Sequence, residues 1–140
     1  MNATLLYRIA SVLLALFAGG HTVGFLKFRP PTPEAAAVRE AMSNVHFPVG
    51  SSQFTYRGFY VGFGLFVTVY LLFSAFLAWH LGNLARTNPP AIGALGWAFF
   101  AVQVAILVLS WIYFFTAPIV FSGLVAACVG GAAWLVRLAP

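Results

Sequence analysis

Charge is what this sequence has least of. Only 6% of its 140 residues are Asp, Glu, Lys or Arg, where a soluble domain carries about a quarter. So few ions cannot cover a water-facing surface, which excludes an ordinary soluble domain and selects the membrane class. Acids are scarcer still: Glu34 and Glu40 are the only two. Neither falls in an apolar run, which argues against proton- or cation-coupled transport, because that chemistry needs an ionisable group inside a span. Cys128 is the sole cysteine. An intramolecular disulfide, a CxxC redox pair and a four-cysteine zinc site are therefore excluded, and Cys128 reads as a small apolar residue within a span. The sequence has no GxSxG, and no HxxxH or ExxH spacing joins its three histidines to each other or to the glutamates. Nucleophilic catalysis lacks a motif, and no metal or cofactor is expected.

Positive charge exceeds negative, giving a formal net charge of +5. No basic block exists, however. The seven basic residues sit mostly at the ends of apolar runs, where they serve as snorkelling and topology anchors. Nucleic acid is not expected as a partner, since it requires a clustered basic patch.

Apolar residues make up 62% of the chain, and no charged residue stands between Arg86 and Arg137. That stretch exceeds the ~20 residues one transmembrane helix needs, so it is two spans broken at "FFTAPIV", where Thr116 and Pro118 suit a helix start. The apolar periods predict four transmembrane helices, at about 5–26, 58–85, 91–115 and 118–136. Arg8, the apolar stretch and Ala18-Gly19-Gly20 imitate a signal peptide, but the first segment is read as a retained span. Trp79, Trp97, Trp111, Tyr113 and Trp134 fall near the span ends, as interfacial aromatics do. Short links after the second and third spans predict an all-α, up-down four-helix bundle forming one domain over 1–140.

The polar connection 27–56 is the exception. Thr32-Pro33-Glu34 has the signature of a helix start: cap, first-turn proline, acid at the positive dipole end. Ala35, Val38, Met42 and Val45 then recur at helical spacing, predicting a short amphipathic helix at about 33–43 that "FPVGSS" ends. Small residues at four-residue steps, such as Ser122-Ala126-Gly130 and Gly123-Ala127-Gly131, predict close helix packing, and two such faces on one helix allow a homodimer. An even number of spans puts both termini on one side. Arg8, Arg86 and Arg137 flank spans there, which favours cytoplasmic termini.

The polar groups with chemical potential gather on the loop side. "AGGHTVGF" ends the first span with His21, and Arg57 and Tyr60 begin the second. Between them lie Glu34, Glu40 and His46. These six are the candidate ligand-binding residues, expected at a shared membrane depth. Each also has a plainer role. His21 bonds a carbonyl or sits in the interface, Arg57 snorkels, Tyr60 is an interfacial aromatic and Glu34 is a helix-start charge. The sharper expectation has Gly19, Gly20 and Gly24 admitting a loop or ligand to His21, and Arg57 pairing with Glu34 or Glu40 or binding an anion. In the third span, Gln103 and Ser110 lie on roughly one face and are expected to bond across helices.

The "AGGHTVGF" end of the first span, the ~30-residue loop and "YRGFYVGFGLFVTVYLLFSAFLAW" together resemble a group of small bacterial four-helix membrane proteins with no settled activity. The resemblance rests on His21, Thr22, Gly24, Arg57, Phe59, Tyr60, Gly62, Phe63 and Gly64, and it implies a bacterial inner-membrane protein. Membrane glutathione-transferase-like enzymes share the size, but their acid-and-arginine signature in the second helix is missing. The single cysteine excludes the vitamin K reductase type. The leading functional expectation is a structural or accessory membrane protein, alone with lipid, as a homodimer or within a larger assembly. The alternative is a protein or enzyme that binds a lipid-like molecule, such as a quinone, isoprenoid or sterol-like compound, at the loop-side mouth.

Overall fold

The computed structural model describes residues 2–138. Helix α1 spans Ala3–Lys27, α2 Pro33–Asn44, α3 Tyr56–Thr87, α4 Gly93–Tyr113 and α5 Thr116–Leu138. Two short strands, β1 (His46–Val49) and β2 (Ser52–Thr55), lie between α2 and α3, and a 3-10 turn at Pro89–Ile92 precedes α4. The helices over 3–27, 56–87, 89–113 and 116–138 are long and apolar enough to cross a membrane. The chain is thus an all-α membrane-spanning protein with a short helix in its first connection. It divides into two compact units: residues 1–17 with 71–140, and residues 18–70. Helices α1 and α3 supply residues to both.

Within the first unit, parts of four helices pack up and down. Ser11 of α1 donates to the Ala75 carbonyl of α3 at 2.8 Å. Leu6 packs near Gly131, and Phe17 stacks on Phe121 with ring centroids 5.3 Å apart, so α1 and α5 are antiparallel. A Cβ added at Gly130 would lie 2.6 Å from the Phe100 ring, which explains why that position of α5 has none. This is the close approach that small-residue steps permit. The unit's core includes Tyr7, Ala10, Leu14, Leu71, Leu81, Val125 and Val129, all buried.

The second unit joins the end of α1, helix α2, the strands and the start of α3. Helix α2 begins as its sequence predicts, with Thr32 accepting from the Ala35 amide at 3.2 Å and Pro33 in the first turn. It ends one residue beyond the expected 43. The sequence predicts an irregular return to α3 through "FPVGSS". The chain there forms a β-hairpin instead, with Phe47 opposite Phe54 and Val49 opposite Ser52. Gly50 takes φ +61° at the first turn position, where a type II′ hairpin turn requires a positive angle. A lone two-stranded hairpin is marginal in water. Here Phe47 and Phe54 pack on Phe59 of α3, at 5.3 and 5.9 Å between ring centroids. Pro48 hides the hairpin from sequence reading, because proline usually argues against a strand; at an edge its missing N–H costs no ladder bond.

Candidate functional site

His21 is the centre of the loop-side cluster. Its Nε2 lies 3.0 Å from the Gly64 carbonyl oxygen of α3. A carbonyl only accepts, so Nε2 carries the proton, and a neutral ring presents Nδ1 as an acceptor. Thr22 and Thr68 stand beside it with their hydroxyls 2.8 Å apart. Thr22 is also 2.7 Å from the Ala18 carbonyl, and Thr68 is 3.2 Å from that of Gly64. The result is a polar clasp between α1 and α3, with each hydroxyl hydrogen provided with an acceptor.

Gly64 permits this clasp. A Cβ there would lie 2.7 Å from the Phe25 ring, closer than real Cβ contacts come. Phe25 in turn packs on the His21 ring at 5.0 Å and meets Tyr60 edge-on at 6.5 Å. Around Gly19, Gly20 and Gly24 the space is open: a Cβ at any of the three meets nothing within 4 Å, so no protein segment makes its close approach there. Gly20 and Gly19 precede His21 by one and two residues and therefore lie off its face of the helix. The close approach falls on the opposite helix.

The remaining candidates do not join this cluster by hydrogen bond or ion pair. Glu34 is exposed in the first turn of α2. Its carboxyl pKa is held below the ordinary value by its own backbone amide first and by the Thr32 hydroxyl second. Glu40 is exposed. His46 is exposed at the start of β1 and donates from Nδ1 to the Asn44 carbonyl at 2.9 Å. Arg57 is half-buried at the start of α3. The expected pairing of Arg57 with Glu34 or Glu40 is not formed, and Arg39 donates to the Phe28 carbonyl at 2.8 Å rather than to an acid. Exposed carboxylates keep their hydration, so such pairs gain little. Tyr60 is 53% exposed, and only its ring takes part in the cluster. Among the described residues, no group of three His, Cys, Asp or Glu is arranged to hold a metal.

In the first unit, Gln103 and Ser110 are both buried in α4, and the Gln103 side chain is partnered. A second polar cluster there escapes sequence reasoning, which treats Arg8 as an anchor. The Arg8 guanidinium carbon lies 3.3 Å from the centroid of the Trp79 ring, and its Nη2 donates to Asn83 Oδ1 at 2.6 Å. Gly82 leaves room for it: an added Cβ would come within 3.3 Å of Arg8 Nε. Trp79 and Asn83 are one helical turn apart, so a tryptophan and an amide on one face, with a lone arginine inside another span, are the available signal. His80, by contrast, is exposed and stacks on Phe76 at 6.2 Å.

Compared with protein-family models, curated proteins and solved structures, the chain matches none.

Proposed function

We propose that this is a structural or accessory protein of the bacterial inner membrane, acting as a subunit of a larger membrane assembly. One observation carries the reading: several polar side chains within the spans are used between helices. His21, Thr22 and Thr68 close α1 on α3, Ser11 bonds the Ala75 carbonyl and Arg8 bonds Asn83. An enzyme would instead leave several such groups converging on a place for a reacting atom. Purification in mild detergent after reversible cross-linking, followed by native mass spectrometry, tests the proposal. A defined partner or homo-oligomer is expected at fixed stoichiometry. A monomer with no cross-linked species refutes it.

The alternative is a site for a lipid-like molecule near His21. It is favoured by His21 Nδ1 and the Tyr60 hydroxyl, which have no hydrogen-bond partner among the described residues. Solvent extraction that recovers a stoichiometric quinone or isoprenoid from wild type, but not from His21→Ala, would move the assignment to that reading.

A further inference from the structure

The first unit contains Arg8, Arg86 and Arg137 but no Asp or Glu. Only Arg8 has neutral protein partners, Trp79 and Asn83. Arg86 and Arg137 are exposed and have no hydrogen-bond or ion-pair partner among the described residues. Each lines a cavity. One, of about 220 Å³, is walled by Ile92, Trp97 and Ala133 and includes Arg137. The other, of about 470 Å³, is lined by Asn2, Thr4 and Leu135 and includes Arg86. Pro89 and Val136 line both, so the cavities adjoin.

Tyr7 packs behind the smaller cavity without lining it. Its side chain is 0% exposed and its hydroxyl has no partner. That hydroxyl lies against Gly96, where an added Cβ would sit 2.8 Å from it, and Gly96 itself lines the smaller cavity. An unsatisfied buried donor thus stands behind the wall of a cavity that also presents a free guanidinium.

We propose that this face binds an anionic phospholipid. Arg86 and Arg137 hold its phosphate, and its acyl region lies along Ile92, Trp97, Ala133 and Leu135. The planar guanidinium fork matches phosphate oxygens in pairs. Arginines at a membrane surface attract anionic lipid, and no Asp or Glu of this unit competes for them. The apolar walls decide the source of the phosphate: a free phosphate ion leaves them wet, whereas a lipid covers them.

The test is native mass spectrometry of the full chain released from detergent, with phosphatidylglycerol or phosphatidylcholine supplied at equal concentration. The expected result is about tenfold greater retention of phosphatidylglycerol, because both lipids carry the phosphate but the choline ammonium of phosphatidylcholine offsets its charge against the two guanidinium groups. The R86Q/R137Q variant is expected to lose that preference, R137K to keep part of it, and K27Q, which removes one charge from the other unit, to keep all of it. If the double variant does not fold, the single variants R86Q and R137Q each carry the same comparison. Equal retention of the two lipids by wild type overturns the proposal, as does an undiminished preference in R86Q/R137Q. Displacement of phosphatidylglycerol by millimolar inorganic phosphate overturns the lipid assignment in favour of a soluble phosphate ester.

Discussion

Gly64→Ala is the sharpest probe of the α1–α3 clasp. The added methyl would sit 2.7, 2.9 and 3.0 Å from three carbons of the Phe25 ring. Overpacking of this kind costs about 1–3 kcal/mol. The alanine returns up to about 1 kcal/mol through helix propensity. The ring is the end of a flexible side chain, but it is held between His21 and Tyr60, so it can yield only by disturbing both contacts. The net expectation is a loss of up to about 2 kcal/mol, the overpacking cost less the propensity gain, with the His21–Gly64 bond lengthened. Equilibrium unfolding in mixed micelles measures it. A double-mutant cycle with Phe25→Ala isolates the cause: once the ring is gone, Gly64→Ala should be neutral or stabilising. If Gly64→Ala destabilises equally in both backgrounds, the clash with Phe25 is not the reason for the glycine. If it stabilises wild type, the close approach does not exist.

Three other perturbations probe the same geometry. Trp79→Leu removes the ring over Arg8 and should cost about 1–2 kcal/mol in unfolding experiments, the worth of a desolvated cation–π contact, whereas Trp79→Phe should cost less; equal stability of all three chains would refute the contact. Because the Glu34 carboxyl pKa is lowered from 4.5 in the folded chain, the carboxylate favours α2 above that value, and this support disappears as pH falls through the lower folded value. Protection of the first-turn amides, relative to their intrinsic exchange rates, should fall over that acid window in wild type and not in Glu34→Gln; identical pH profiles would count against the cap. Gly50→Val should destabilise the hairpin by about 1–2 kcal/mol, the cost of a left-handed conformation for a residue with a Cβ, seen as loss of amide protection over residues 46–55 with α3 unaffected.

Several features are open to reading along the chain because their causes are local. Helix α2 starts where Thr32-Pro33-Glu34 predicts, since a cap, a rigid φ and a dipole-matched acid act within four residues. The α4–α5 break falls at Phe114 and Phe115 with Pro118 in the next first turn, where proline loses no helical bond. The candidate cluster is legible only in part. His21 and Tyr60 do lie in one cluster, but its pivot, Gly64 with Phe25, escapes notice, because packing of a ring onto a glycine has no signature in either segment alone. Glu34, Glu40, His46 and Arg57 share the same loop side yet form no common network, because sequence placement gives depth and not direction.

Composition alone sets the solvent of this protein and the number of its crossings. Two acids and seven basic residues among 140 leave a chain that cannot face water along its length, and backbone hydrogen bonding then requires each apolar run to be helical. The use made of the few polar groups is a matter of how the helices meet. His21 meets a carbonyl 43 residues away, and Arg8 meets an amide 75 residues away. Such pairs depend on the register of one helix against another, and register is set by the summed packing of whole faces, which no short stretch of sequence contains.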